Sequence, residues 1–398
     1  MIDRLYGISA SLAANVPVGF ERYLSNEIDE NAKLTGISGA RGCGKTILLL
    51  QLLKKKLQKG KNALYISLDD IYFANNKFVY YSEEFARNGG EWLFVDEVHK
   101  YKNWSQELKS IYDSIPHMNV VFTSSSALEI NKGSHDLSRR ALVYKLKGLS
   151  LREYIELKYN IKFSSFRLGD ILSNHEEIAR EINSKVKIFP YFNEYLQTGY
   201  YPFFIETGKN YLAQLLNTIN TVIESDIPAI NEIDFNSAIK LKKLLTVVSQ
   251  IVPFTPNIEK LAKQIETTRP TLLKYLYYLD KAEIISWIVK DSHGINYLNK
   301  PDKLFLNNTN LAWALSSEKP DAGSIRETFF YNQLSYKHLL TYPEKGDFLI
   351  DGKYIFEIGG KNKKKTQIAG LSNAYIAADD MEYGYQNKIP LWIFGFLY

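Results

Sequence analysis

Eight consecutive residues constrain this chain more than anything else in it. Gly39, Ala40, Arg41, Gly42, Cys43, Gly44, Lys45 and Thr46 form a complete G-x-x-x-x-G-K-T phosphate-binding loop. An apolar stretch, Leu34 to Ile37, precedes it and a helix-like run, Ile47 to Leu57, follows. That predicts strand, loop and helix, the setting in which such a loop works. Glycines permit the backbone angles that turn successive N–H groups toward phosphate oxygens. The positive end of the following helix dipole adds to the pull. In this pattern Lys45 reaches the β/γ-phosphates of ATP and the Thr46 hydroxyl ligates Mg²⁺.

A second motif lies about fifty residues on. Trp92-Leu-Phe-Val-Asp96-Glu97 is an apolar run ending in two carboxylates, as expected for a strand buried on both faces of a parallel sheet. Asp96 is placed to hold the Mg²⁺ shell, and Glu97 to orient and deprotonate an attacking water. The string Asp96-Glu-Val-His99 has the letters of a helicase box, but no other helicase motif accompanies it, so His99 reads as a neighbour.

Composition sets the outer bounds. The 398 residues are 45% hydrophobic with 28 Tyr and 21 Phe, which predicts several folded domains with sizeable cores. No apolar run approaches the roughly 20 residues that span a bilayer, and the N-terminus lacks a basic-then-apolar leader. A single cysteine excludes an internal disulfide and fits a reducing cytoplasm. The net charge of +5 permits nucleic-acid contact without arguing for it.

Further strands are expected at Ala63–Leu68 and Asn119–Thr123, with a helix over Trp104–Ile115. Alternating strands and helices predict an α/β fold, a parallel sheet binding its ligand beyond the strand C-termini. Thr123 or Ser124 can sense a γ-phosphate there, or Ser124 to Ser126 can cap a helix. Arg139 and Arg140, after Ser138, read either as a finger reaching a neighbouring subunit's phosphate or as a surface basic pair.

From Leu149 to Ser249 the pattern is helical, with aromatics (Phe189, Tyr191, Phe192, Tyr195, Tyr200, Phe203, Phe204) spaced for packing. Between Pro256 and Leu306 come a short helix at Glu259–Gln264 and a longer one, capped by Thr267-Thr-Arg-Pro-Thr271 and running to Ala282, then strands at Ile284–Val289 and Lys303–Leu306 around a turn at Asp291-Ser-His-Gly294. That is a winged-helix outline. It would aim Arg269, Thr271 and Lys274 at a DNA groove, or serve packing and protein contact.

The last hundred residues resemble the PD-(D/E)xK nuclease fold in order: Glu327 on a helix, Asp347, a turn at Asp351-Gly352, Glu357, and Gln367 on a following helix. The resemblance implies metal binding by Asp347 and Glu357, with a lysine positioning water. The family's lysine position falls on Gly359. Lys361 shares strand parity with Glu357 but lies about 7 Å further along, at roughly 3.3 Å per residue. A two-residue turn would pair Ile350 with Lys353 and turn Glu357 away from Asp347; a three-residue loop would set the two carboxylates opposite each other. The alternative is a nuclease-like fold without a working site. Lys363-Lys-Lys365 reads as a phosphate grip or a solvated turn.

Arg22-Tyr-Leu, the phosphate loop, Asp96-Glu-Val-His-Lys100, Asn103-Trp104, Thr123-Ser-Ser-Ser126, the Arg139-Arg140 pair, Leu149-Ser-Leu-Arg-Glu153-Tyr and Gly199-Tyr-Tyr-Pro202 together resemble a family of prokaryotic AAA-type ATPases. Its members carry a C-terminal winged helix and a nuclease-like domain. Ser124 stands where the family usually has glycine. The resemblance spans the whole chain and implies an ATPase core over 1–148, a helical subdomain over 149–249, a winged helix over 250–307 and a nuclease-like domain over 308–398. ATP and Mg²⁺ are the expected cofactors. DNA, a partner protein or further copies of the chain are the expected partners.

Overall fold

In the computed structural model, which describes residues 2–124, 137, 139–228, 234–290 and 300–398, the apolar run ahead of the phosphate loop forms β1 (Leu34–Ser38). It is buried along its whole length. Two compact units divide the chain, residues 1–148 and 149–398.

In the first unit, α1 (Ile2–Asn15) precedes β1, and α2 (Lys45–Gln58) starts at the last residues of the loop. Then follow β2 (Ala63–Ser67), α3 (Phe78–Arg87), β3 (Trp92–Asp96), α4 (Trp104–Ser114), β4 (Asn119–Ser124) and β5 (Leu142–Lys145). The strand order is β2-β3-β4-β1-β5, and every pairing is parallel. All five residues of β3 are buried, as two-sided coverage requires. Leu64, Ile66, Leu93, Val95, Val120 and Phe122 pack with Trp104, Leu108 and Ile111 of α4 in one core. The registers Ile37↔Thr123 and Val95↔Phe122 bring the ends of β1, β3 and β4 to a common edge. There the phosphate loop, Asp96 and Thr123 emerge. Strand β5 goes beyond the sequence expectation: it is an edge strand, largely exposed although Ala141-Leu-Val-Tyr144 is apolar.

The second unit begins with a run of helices, among them α5 (Leu151–Tyr159), α6 (Leu168–Lys185), α7 (Ile188–Thr198), α8 (Tyr211–Thr221) and α9 (Phe235–Ile251). Ser150 and Glu153 form a reciprocal capping box on α5. Phe192, Tyr195, Tyr200 and Phe204 are buried, as packing residues should be. Two helices, α10 (Ile258–Gln264) and α11 (Arg269–Lys281), lead to the antiparallel pair β6 (Ile285–Ile288) and β7 (Lys303–Leu306). The turn expected at 291–294 lies outside the described residues. After α12 (Thr309–Leu315) and α13 (Ala322–Leu334) comes a mixed sheet. Its strands are β8 (Leu340–Thr341), β9 (Phe348–Ile350), β10 (Tyr354–Gly359), β11 (Ala374–Ala378) and β12 (Lys388–Pro390), in the order β12-β11-β10-β9-β8. No described helix is long and apolar enough to cross a membrane.

Candidate nucleotide site and a second carboxylate cluster

The phosphate loop takes a shape that only its glycines allow. A Cβ on Gly39 would lie 2.3 Å from the carbonyl oxygen of Leu146, and Gly44 has φ +97°, in the left-handed region. Lys45 is buried, and its Nζ donates to the carbonyls of Gly39 and Ala40, both at 2.8 Å. Thr46 opens α2, and its hydroxyl donates to Asp96 Oδ2 at 2.7 Å. Residues fifty apart in sequence therefore meet at the strand ends.

Asp96 is 2% exposed and held by neutral donors. Besides Thr46, the Tyr65 hydroxyl donates to Oδ2 at 3.0 Å, the Thr123 hydroxyl donates to Oδ1, and the Glu97 N–H donates to Oδ1 at 3.2 Å. Burial, and then the Asp96 charge, raise the Tyr65 phenol far above its ordinary value, so it stays a donor. Thr123 also accepts from the Glu97 N–H at 3.2 Å, so its hydroxyl braces the two carboxylate-bearing residues. Ser124 is buried and pairs in register with Ser38; Ser125, Ser126 and Ser138 lie outside the described residues. Glu97 itself has φ +54°, and its Oε2 stands 3.4 Å from Nε2 of His99, whose side chain is buried. His99, read from the sequence as a neighbour and not as part of a helicase box, stands directly beside the candidate base.

Arg140 makes a two-pronged pair with Asp113, Nε to Oδ1 and Nη2 to Oδ2, both at 3.0 Å. That contact draws the Asp113 carboxyl below its ordinary value. Arg139 is exposed. Tyr65 is the contact that sequence reasoning missed. Its one available signal, a tyrosine two residues before the end of an apolar strand, gains meaning only once β2 is known to lie beside β3.

In the second unit the hairpin loop has three residues. Ile350 pairs with Tyr354, and Phe348 with Phe356, so Asp347 falls opposite Glu357. Asp351 and Gly352 both take left-handed backbone angles, φ +52° and +64°, which is how the loop absorbs its third residue. Asp347 Oδ2 accepts the Ile358 N–H at 2.7 Å. The lysine that meets Glu357 is Lys363, at 2.6 Å, and not Lys361, which is exposed. Gly359 makes this possible: a Cβ there would lie 2.7 to 2.8 Å from the Lys363 stem. The Gln367 amide, with its nitrogen turned to the carboxylate, donates to both Glu357 oxygens at 2.9 and 3.1 Å. Lys303 of β7 pairs with Glu327 and stands 3.8 Å from Asp347. Burial, with Asp347 adding to it, raises the carboxyl groups of both Glu327 and Glu357. Lys363 is also raised, its carboxylate partners outweighing a burial cost of opposite sign. Among the described residues no group of three or more His, Cys, Asp or Glu is arranged to hold a metal ion.

On α11, Arg269 and Lys274 are exposed, whereas the Thr271 hydroxyl is 2.9 Å from the hydroxyl of the N-cap residue Thr268. Two of the three candidate groove contacts are therefore open to solvent, and the third is engaged in capping.

Residues 31–155 match the AAA domain family, and residues 190–322 match a domain family of unknown function. The uncharacterized protein MJ1637 of Methanocaldococcus jannaschii is 29% identical over 389 residues, covering 87% of this chain and 79% of the relative. Among solved structures, the Walker-type ATPase PABY2304 of Pyrococcus abyssi aligns over 76% of this chain and 99% of its own, at 14% identity and a TM-score of 0.44. AMPPCP-bound DnaA from Aquifex aeolicus aligns over 65% of this chain and 84% of its own, at 12% identity and a TM-score of 0.26. The AAA match, the glycine loop and the five parallel strands together support a P-loop ATPase core of the AAA type in the first unit.

Proposed function

We propose that the chain is a Mg²⁺-dependent ATPase whose nucleotide cycle acts on the modules of its second unit. The observation that carries this reading is the meeting of Thr46 and Asp96 at 2.7 Å, with Lys45 and Glu97 on either side in sequence. Two hard oxygen donors so placed suit Mg²⁺, which takes few protein oxygens and completes its shell with waters and phosphate. When bound, the ion neutralises charge on the β- and γ-phosphates. Lys45 and the loop N–H groups bind those phosphates, exchanging the Lys45 contacts to Gly39 and Ala40 for phosphate oxygens. Glu97 accepts a proton from water as the water oxygen bonds to the γ-phosphorus. The bridging P–O bond breaks, and its electron pair leaves on ADP. Thr123 holds Asp96 and Glu97 in place for this step. With Arg140 bound to Asp113, Arg139 is the better candidate to reach a phosphate of a neighbouring copy. The cytoplasm is the compartment that a single cysteine inside the phosphate loop favours.

The test is ATP turnover by the purified chain with Mg²⁺, with EDTA and in the Glu97→Gln variant. The variant keeps the shape of the side chain but not its basicity, so it should bind ATP and turn over about 10²- to 10⁴-fold more slowly. Full turnover by the variant removes Glu97 as base, and full turnover in EDTA removes the metal.

A second reading is favoured by the placement of Asp347 opposite Glu357 with Lys363 and Gln367 on the same carboxylate. In it, residues 308–398 form a nuclease-like domain and 250–307 a winged helix that presents Arg269 and Lys274 to DNA, so the ATPase gates DNA binding or cleavage. Two opposed carboxylates are a donor set that fits a divalent cation. Salt-sensitive DNA binding and metal-dependent nicking lost in Asp347→Ala and Glu357→Ala would support it. Nicking unchanged in both variants would point to a contaminant. ATP turnover indifferent to duplex DNA would favour a partner protein instead.

A further inference from the structure

A buried arginine grips the phosphate loop from behind. Arg22 is 4% exposed and sits just before the short turn Tyr23–Asn26. Its Nη1 donates to the carbonyl oxygen of Cys43 at 2.5 Å, and its Nη2 donates to the carbonyls of Lys147 at 2.6 Å and Gly148 at 3.0 Å. The next residue repeats the attachment: the Tyr23 hydroxyl accepts from the Lys147 N–H at 3.0 Å and donates to the Lys145 carbonyl at 3.2 Å. The guanidinium fork is planar, always charged and geometrically rigid, so it fixes its acceptors relative to one another. The loop is thereby tied to the chain that follows β5.

The Cys43 oxygen belongs to the same peptide group as the Gly44 N–H. Peptide resonance links the two ends, so a cation on the oxygen withdraws electron density from the nitrogen and makes its proton a stronger donor. Gly44 is the residue at which the loop turns into α2, with a left-handed backbone that only glycine takes without strain. We propose that Arg22 is a positioning residue for phosphate binding: it fixes the plane of the Cys43–Gly44 peptide and polarises the Gly44 N–H toward the anion. This rests on the nucleotide reading above and adds to it a residue outside the loop. A lysine in its place would keep the charge but not the fork. A methionine would keep much of the volume and lose both.

The experiment uses the full chain labelled with ¹⁵N-glycine, as wild type, Arg22→Lys and Arg22→Met. It records glycine amide shifts without nucleotide, ATP and ADP affinity by calorimetry, and thermal melting. Polarisation by Arg22 predicts that the Gly44 amide proton moves upfield in Arg22→Met while Gly384 of the second unit stays in place. ATP and ADP should bind about tenfold more weakly, because the charge-assisted bond from the Gly44 N–H to phosphate loses its polarised donor, with Arg22→Lys intermediate in both readouts. Should Arg22→Met fail to fold, Arg22→Lys carries the same comparison. A lower melting temperature with an unmoved Gly44 amide and unchanged affinity makes Arg22 a structural tie only and overturns the inference. A wild type that binds no ATP overturns the nucleotide reading and this inference together. A wild type that binds ATP, with Arg22→Met binding equally well, overturns this inference alone.

Discussion

Removing one oxygen atom from Tyr65 tests the account of Asp96 directly. Asp96 is 2% exposed, and its Oδ2 accepts from both the Tyr65 hydroxyl at 3.0 Å and the Thr46 hydroxyl at 2.7 Å. In Tyr65→Phe the ring stays, the aromatic packing is kept, and only the donor is lost. Little water can replace it at a carboxylate this buried. A hydrogen bond to a charged group contributes about 1.5–3 kcal/mol. At about 2–4 °C per kcal/mol for a unit of this size, melting of the first unit should fall by about 3 to 12 °C. The assay is calorimetric melting of four proteins: wild type, Tyr65→Phe, Asp96→Asn and the double variant. With a neutral amide at position 96, loss of the phenol should cost about 0.5–1.5 kcal/mol, so the cycle should show coupling of about 1 kcal/mol or more. Equal cost of Tyr65→Phe in both backgrounds would refute the assignment, because the phenol would then be stabilising something other than the charge.

The same pair predicts a pH dependence of definite sign. The Tyr65 phenol is raised in the folded state by burial first and by Asp96 second. A raised value means that the folded state keeps its proton where the unfolded chain has lost it. The contribution is therefore fully present below the unfolded value, near pH 10, and is lost as the pH climbs above it. Wild type should lose stability more steeply above about pH 10 than Tyr65→Phe does, read from urea midpoints across that range.

Two further substitutions probe one unit each. Gly39→Ala should weaken ATP binding at least tenfold with secondary structure preserved, since its Cβ would lie 2.3 Å from a backbone oxygen that cannot swing away; calorimetric titration beside circular dichroism checks both halves. In the second unit, the buried Asn310 amide donates to the Tyr195 and Leu196 carbonyls, each at 3.0 Å, and accepts from the Tyr200 N–H at 2.8 Å and the Tyr211 hydroxyl at 2.5 Å. Asn310→Ala strands several of these groups at once and should cost about 3 kcal/mol or more, or about 6–12 °C in the melting of that unit.

What could be read from the sequence follows from how local each signal is. The phosphate loop is legible because its chemistry demands particular residues at fixed spacing. Strands β3 and β4 are legible because two-sided burial writes a run of apolar residues, and β1 because it leads directly into the phosphate loop. Strand β5 carries an apolar run too, Ala141-Leu-Val-Tyr144, but it is a short, exposed edge strand whose place beside β1 only the fold reveals. Tyr65 and Arg22 act across gaps in sequence that only the strand order and the loop's attachment close. The hairpin register turned on a single residue: the sequence allows a two-residue or a three-residue loop around Asp351-Gly352, and only the pairing of Ile350 with Tyr354 puts Lys353 in the loop and Glu357 opposite Asp347. Lys363 was hidden for a related reason. What admits it to Glu357 is the missing side chain at Gly359, and that space becomes visible only in three dimensions.

The two carboxylate sites differ in what a metal ion would have to displace, and this leads to a prediction that separates metal binding from chemistry. Around Asp96 the donors are hydroxyl and N–H groups, so an arriving cation competes with neutral partners. At Glu357 it competes with the Lys363 ammonium 2.6 Å away, on a carboxylate whose side chain is 1% exposed. A divalent cation and an ammonium about 4 Å apart repel by on the order of 8 kcal/mol at an effective dielectric constant of 20. Replacing Lys363 by Met removes that repulsion and should tighten Mn²⁺ binding at the second cluster about tenfold or more, read by electron paramagnetic resonance in an Asp96→Asn background that isolates it. On the nuclease reading, the same substitution should abolish metal-dependent DNA nicking, since the ammonium that would position water and steady the phosphate is gone. Lys361→Met should do neither. Tighter Mn²⁺ with lost nicking is a pairing that a merely structural lysine cannot produce. Weaker Mn²⁺ binding in Lys363→Met would mean that the lysine holds the carboxylates open for the metal and does not compete with it, which would refute this account of the cluster.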